Sequence, residues 1–258
     1  MAELLLRGQS IGTFKGVLFD KDGTLSHSEP QLVKLADDRI DQALERWKGR
    51  SQSGLSGREL EQRLRRAFGR LADGLDPAGT LAVAARRDNL TSMATVLCLE
   101  GCSWPEAIEI ATGSFDAIDQ CTPEVSIVSE LLPGADALLE ALDQAGMTLA
   151  VISNDTAAGI AQFLASHGLR QRIRAIWSAD DTPTKPDPGA VNGLCEQLGL
   201  QPDDCVLIGD AETDLTMAKA AGIGVVLGFR GGWAASPQLP SADHQIDRWS
   251  ELTLKAAA

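Results

Sequence analysis

Histidine, cysteine and basic residues are scarce in this chain, and each shortage closes off a class of function. Only three histidines occur among 258 residues, His27, His167 and His244; they lie far apart and lack the spacing of a zinc site. The five cysteines, Cys98, Cys102, Cys121, Cys195 and Cys205, are odd in number and include no CxxC pair, which fits neither a disulfide scaffold nor a thiol redox motif. Reduced thiols in the cytosol suit that usage, so a cytoplasmic location is the expectation. Lys and Arg total 23 against 36 Asp and Glu, a formal net charge of −13. Such a chain repels nucleic acid and anionic membranes, and neither is expected as a partner. No apolar run approaches the ~20 residues that a bilayer span needs. The first eight residues hold a patch of three leucines behind an acid and lack the charge order of a secretory signal.

What is present is an ordinary globular composition, 44% hydrophobic and 23% charged, long enough for one large α/β domain or for a core with a smaller companion. A first strand is expected over residues 14–20. From Glu29 to about Val125 the pattern turns charged and helical in period, with Leu32, Leu35, Ala36, Ile40, Ala43, Leu44 and Trp47 at helical spacing. Further helices are expected over 59–71, 79–89, 91–99 and 104–118, with loops at 51–57 and 73–77. This insert of about one hundred residues reads as a separate small domain. From Leu131 onward helices alternate with short apolar strands, expected at 148–152, 173–177, 205–208 and 223–227. That alternation implies right-handed crossovers and a doubly wound, Rossmann-like parallel sheet, whose ligands bind outside the carboxyl ends of the strands. The tail reads as a Gly, Pro and Ser loop followed by a short amphipathic piece around Trp249 and Leu252.

The most informative stretch is Val17-Leu18-Phe19-Asp20-Lys21-Asp22-Gly23-Thr24-Leu25, an apolar strand ending in two carboxylates at i and i+2. On an extended backbone those side chains share one side, so Asp20 and Asp22 can face one small volume. Two carboxylates there repel each other, so the volume calls for a cation. Gly23 permits a sharp turn and Thr24 offers a hydroxyl and an N–H to an anion. Taken alone, the pair reads equally well as turn caps.

Three more polar clusters stand at expected strand ends. Ser153-Asn154-Asp155 reads as a helix N-cap, or as a phosphate-binding turn at a helix start. Lys185, in the Pro-rich loop before Asp187 and Pro188, reads as a solvated lysine, or as the local positive centre that a phosphate needs in an acidic chain. Asp210 and Thr213 are candidate caps, Asp214 follows Asp210 by four residues, and Glu212 is expected in solvent.

Together these stretches resemble the haloacid dehalogenase-like (HAD) hydrolases. Asp20-Lys21-Asp22-Gly23-Thr24-Leu25 looks like the first motif, Ser153 the second, Lys185 the third, and Gly209-Asp210 with Asp214 the fourth. The resemblance covers residues 14–27 and about 130–228. It implies an α/β core formed by residues 1–27 and 128–258 and an all-helical cap, residues 28–127, of the kind found in phosphoglycolate phosphatase-like and phosphomutase-like members. By the same resemblance Asp20 is the nucleophile and Asp22 the general acid and base. Thr24, Ser153, Asn154 and Lys185 bind phosphate. Magnesium, the hard cation suited to oxygen donors, is held by Asp20, Asp210 and the backbone carbonyl of Asp22, with Asp214 behind them. Crowding by Asp20 and Asp210 is expected to keep Asp22 protonated. Lys21 departs from the pattern, since many relatives carry an apolar residue there.

The implied activity is a magnesium-dependent phosphatase acting on a small phosphorylated metabolite, phosphoglycolate foremost, through an aspartyl-phosphate. A sugar phosphomutase and a non-catalytic regulatory protein on the same fold are the alternatives. Dehalogenases and phosphonatases are disfavoured by Asp22. Arg58 is the leading candidate for a second anionic group of the substrate, ahead of Arg50, Arg86 and Arg87. Oligomeric state is left open.

Overall fold

The computed structural model describes residues 1–48, 56–120 and 128–255. The chain divides into two units, Met1–Ser28 with Val128–Ala258, and Glu29–Ile127.

The first unit is built on a six-stranded sheet in the order His244–Ile246, Val225–Phe229, Cys205–Gly209, Gly16–Phe19, Thr148–Ile152, Ile173–Trp177. Every neighbouring pair is parallel. Because a strand alternates its side chains, the sheet needs cover on both faces. Val17, Phe19, Leu149, Val151, Val206 and Ile208 point to one face and pack with Leu139 and Leu142 of the Ala135–Gln144 helix and Ile160 and Phe163 of the Ala157–Ser166 helix. Leu18, Ala150, Ile152 and Leu207 point to the other, against Val191 and Leu194 of the Pro188–Leu198 helix and Leu215 and Ala218 of the Glu212–Ala220 helix. Each of the larger aliphatic side chains so buried contributes ~1.5–3 kcal/mol. The expected doubly wound parallel sheet is therefore the core of this unit.

Chain order reverses across Gly16–Phe19. Later strands extend outward from it in both directions, through Thr148–Ile152 on one side and Cys205–Gly209 on the other. The crevice at its carboxyl end is the topological switch point, where sheets of this kind bind ligands.

Two parts of this unit depart from expectation. The strand expected from residue 14 begins at Gly16, and Gln9–Phe14 belongs instead to a separate antiparallel sheet with Ala2–Leu6 and Leu252–Leu254. The hairpin between the first two turns through Arg7 and Gly8, both at positive φ. The tail reaches this sheet because Trp249 is fully buried, stacked on Phe229 at 4.4 Å between ring centroids and edge-on to Phe19 at 5.9 Å. Additionally, the last core strand runs Val225–Phe229 and a sixth, His244–Ile246, joins its free edge. Pairing with Val225–Phe229 is long-range in origin, and three residues carry too short a pattern to announce a strand.

The second unit consists of helices Glu29–Trp47, Gly57–Phe68, Thr80–Val83, Arg86–Leu99 and Trp104–Gln120, with a small hairpin of Arg70–Leu71 and Gly74–Leu75. The helix expected over 59–71 starts earlier because Ser56 and Glu59 form a capping box, and stops at Phe68 because Gly69 turns left-handed at φ 74°. The helix expected over 79–89 is broken at Ala84 and Ala85, both extended. The Asn89 amide donates to the carbonyls of Ala84 and Ala85 at 3.0 and 3.3 Å, fixing that break. Ile40, Leu60, Leu64, Phe68, Leu97 and Phe115 form its interior. No helix among the described residues is long and apolar enough to cross a membrane.

Candidate active site

The site is built from strand ends. Asp20 follows Phe19 directly and its N–H donates to the Ile208 carbonyl at 2.9 Å, tying it to the neighbouring strand that ends before Asp210. The chain then winds around the carbonyl of Lys21, which accepts from the N–H groups of Leu25 and Ser26 at 2.9 and 2.8 Å. Ser153 follows the strand on the other side of Asp20, and its N–H donates to Trp177 at 2.9 Å.

Lys185 is not a solvated loop lysine. Its Nζ lies 2.7 Å from Asp20 Oδ1 and 2.9 Å from Asp214 Oδ1, with all three side chains less than 10% exposed. Burial pulls the ammonium toward losing its proton, but Asp20 and Asp214 together outweigh that and raise its pKa. Desolvation dominates at the nucleophile candidate. It pushes the Asp20 carboxyl well above its ordinary range, Lys185 opposes the shift, and Asp214 and Asp210 add to it. Asp210 is pushed up to about 6, again by burial first, against hydrogen bonds from Thr24 and Trp233 that favour the charged form. Three buried carboxylates thus share one buried ammonium, which bonds Asp20 and Asp214 directly and acts on Asp210 through its charge alone.

Asp22 has a different setting from the one expected. Its Oδ1 is held by Lys21 Nζ at 2.9 Å and by the Ser28 hydroxyl, so a cation and a hydroxyl, rather than Asp20 and Asp210, are its bonded partners. Lys21 is itself buried and also pairs with Asp155 at 2.9 Å. Burial works against its charge, yet Asp22 and Asp155 raise its pKa. The lysine that stands where many relatives carry an apolar residue therefore links the turn after the first strand to the turn after the second, and each acid of the i, i+2 pair has its own lysine.

The phosphate-binding candidates differ in availability. The hydroxyl of Thr24 is fully buried and donates to Asp210 Oδ1 at 2.6 Å, and its N–H points to the Lys21 carbonyl at 3.3 Å. Both donors expected for an anion are spent inside the protein, and Thr24 serves to hold Asp210. Ser153 does not cap the following helix, since Thr156 does that by accepting from Gly159 at 3.1 Å. Ser153 Oγ accepts from Asp155 N–H at 3.1 Å, a bond that leaves its own hydroxyl proton to give. Asn154 occupies the same turn. Asp210 and Thr213 cap nothing, the helix N-cap being Ala211. Glu212 is turned from the site and accepts from the backbone N–H of Ser241 at 3.2 Å and from its hydroxyl, so it clasps the tail instead of standing in solvent.

In the helical unit Arg58 is exposed, on the first turn of the Gly57–Phe68 helix rather than in a loop. Arg86 is committed to Asp116 and Asp119 at 2.7 Å each, and Arg87 is exposed. Arg50 lies outside the described residues, as does Cys121.

Among the described residues no group of three or more His, Cys, Asp or Glu is arranged as a metal cage. What the core offers is a pair of hard carboxylate donors, Asp20 and Asp210, which with Asp214 outnumber the one ammonium, Lys185, that meets them. Magnesium typically takes one or two carboxylates and keeps water or phosphate oxygens in its other positions, so this donor set fits it.

One site residue carried no sequence signal. Trp233, from the Gly-rich loop after Val225–Phe229, donates its indole N–H to Asp210 Oδ2 at 2.6 Å.

Residues 14–222 match the family model of the haloacid dehalogenase-like hydrolases. A phosphoglycolate phosphatase of Rhodospirillum rubrum is 30% identical over 223 residues, covering 83% of this chain and 78% of that protein. One from Photobacterium profundum is 28% identical over 253 residues, covering 92% and 93%. Among solved structures, a phosphatase predicted in Clostridium acetobutylicum superposes with a TM-score of 0.61 at 19% identity, over 93% of this chain and 96% of that one; at that identity the likeness concerns the fold.

Proposed function

The chain belongs to the haloacid dehalogenase-like hydrolases and is a phosphatase, and on that premise we propose that it hydrolyses a small phosphate monoester, phosphoglycolate or a close analogue, through an aspartyl-phosphate on Asp20. The observation that carries this reading is the Asp20–Lys185–Asp214 triad. A carboxylate stands at the switch point of the sheet with its orienting cation at 2.7 Å, and that cation is also suited to a phosphate oxygen. The relatives named phosphoglycolate phosphatase support the substrate class.

In the first step Asp20 attacks phosphorus, the bond to the leaving oxygen breaks, and Asp22 delivers a proton to the departing alkoxide. In the second, Asp22 takes a proton from water as that water attacks phosphorus and the Asp20–phosphorus bond breaks, giving inorganic phosphate. Lys185 and the Ser153 hydroxyl balance charge on the transferring group. Magnesium, held by Asp20, Asp210 and the Asp22 carbonyl, would supply Lewis-acid stabilisation of that charge. Asp214 keeps Lys185 in place. The fixed Oδ1 of Asp22, bound by Lys21 and Ser28, leaves Oδ2 to exchange the proton.

The direct test is a metabolite screen with kcat/KM for each substrate. Phosphate release from phosphoglycolate should exceed that from hexose phosphates and should vanish with a chelator. Conversion of β-glucose 1-phosphate to glucose 6-phosphate with negligible phosphoglycolate hydrolysis would overturn the substrate choice in favour of a mutase.

Lys21→Met tests the Asp22 clamp. General acid–base catalysis contributes ~10²–10⁴-fold, and loosening the acid should forfeit roughly ten-fold of it in kcat with alkyl phosphates. With p-nitrophenyl phosphate, whose leaving group needs no proton, the first step should be spared. Equal loss of kcat/KM, which reports that first step alone, with both substrates would count against a role for Lys21 through Asp22.

A further inference from the structure

Trp233 reaches into the site from the tail, and nothing in the reaction as written uses it. Its side chain is buried, 7% exposed, in a loop that is otherwise mixed in exposure. The approach is made possible by two facing glycines. A Cβ on Gly23, at φ +77°, would lie 2.4 Å from Trp233 Nε1 and 2.5 Å from Asp210 Oδ2, and one on Gly232 would lie 1.7 Å from the Gly23 carbonyl oxygen. Only glycine at both positions lets the tail loop lie on the turn after Asp22. The loop is pinned at its start, where Arg230 pairs with Asp247 at 2.7 Å and its N–H donates to Ile246 at 2.9 Å.

Asp210 consequently receives one neutral donor on each oxygen, Thr24 on Oδ1 and Trp233 on Oδ2, both at 2.6 Å. A carboxylate has about four lone-pair sites, so each oxygen keeps one for another partner. Neutrality of the donors matters. An arginine or lysine in the place of Trp233 would compete with a bound cation for the carboxylate's charge, whereas an indole N–H orients the group and leaves that charge available. Donors behind a metal ligand act in this way, and losing one typically weakens metal binding ~10–100-fold. A ring that merely filled space would not need its N–H on the carboxylate.

We propose that Trp233 is a positioning residue for the magnesium site, holding Asp210 through its indole N–H in the orientation that receives the cation. The inference rests on the reading of Asp20 and Asp210 as magnesium ligands.

The test is calorimetric titration of MgCl2 into the full chain without substrate, for wild type and Trp233→Phe, which keeps an aromatic ring and deletes the N–H. The variant should bind magnesium about ten-fold more weakly, with thermal stability in chelator close to wild type. Its kcat should recover toward wild type as magnesium is raised, which a damaged chemical step would not allow. An ¹⁵N-indole spectrum of the wild type supplies the second readout. Of five tryptophans, the one whose resonance is missing from Trp233→Phe should move on adding MgCl2, with the calorimetric midpoint. Should the variant fail to fold, the wild-type titration decides alone, because no indole resonance moving with magnesium would overturn the proposal. An unchanged magnesium Kd in a folded Trp233→Phe also overturns it, while leaving the ligand reading intact. A wild type that binds no magnesium removes that reading and this inference with it.

Discussion

Asp20→Asn should have no measurable turnover, a loss on the order of 10⁶ in kcat, as expected when a nucleophile that acts within a unit is removed. The amide is nearly isosteric but cannot attack phosphorus, so no aspartyl-phosphate forms and no slower route uses the same geometry. The fold should not suffer. Lys185 keeps Asp214 at 2.9 Å, and the change removes one of three buried carboxylates gathered around a single ammonium. The Asp20 carboxyl is held well above its usual range by burial, so a neutral side chain there should leave the melting temperature unchanged or raise it. Single-turnover assays with phosphoglycolate and thermal denaturation together separate lost chemistry from lost structure. Appreciable phosphate release by a folded Asp20→Asn would sink the covalent mechanism.

The contrast between Asp20 and Trp233 shows what kind of information a sequence exposes. Asp20 and Asp22 are visible because an apolar run, a strand end and an i, i+2 spacing are all local, and Asp210 and Asp214, four residues apart, likewise follow the apolar run Cys205–Gly209. Lys185 is legible only through the family resemblance, since a lone lysine in a loop reads as solvated and its two carboxylate partners lie 165 residues before it and 29 after it. Trp233 sits in a loop without periodicity, and its hydrogen bond depends on two glycines brought together from positions 23 and 232. Thr24 is legible as a hydroxyl donor, but its bond to Asp210 is not, because a hydroxyl's type is written in the sequence and its direction is not. The partners of Lys21 were hidden for the same reason, since Asp155 belongs to another strand end. In the fold, the doubly wound alternation could be read directly. The Ala2–Leu6, Gln9–Phe14 and Leu252–Leu254 sheet could not, because it joins the two ends of the chain.

Lys185→Met should damage both fold and reaction, and the two effects should separate with pH. Removing one partner of a buried, charged network leaves the others without compensation, at a cost of about 3–5 kcal/mol. For a chain of this size that corresponds to a melting temperature lower by roughly 6–15 °C, taking ~2–4 °C per kcal/mol. The uncompensated groups are Asp20 and Asp214, both under 10% exposed. Without Lys185 the opposing influence on Asp20 is gone, so its already raised pKa should rise further. A carboxyl that binds its proton more tightly folded than unfolded favours the folded state at low pH, and that advantage is lost as pH rises from the unfolded value toward the folded one. Asp210 shows the same sign in the wild type, across a window from its ordinary 3.8 to about 6. The deficit of Lys185→Met relative to wild type should therefore be small near pH 5, about one unit above the ordinary Asp range, and largest at pH 8. Urea denaturation at the two values, in chelator, measures it. Activity at saturating magnesium should fall about 10²–10³-fold in kcat, the scale set by removing one preorganised donor to developing charge. A variant equally stable at both pH values, with kcat within ten-fold of wild type, would mean that the Asp20–Lys185–Asp214 triad neither supports the fold nor serves the phosphoryl group.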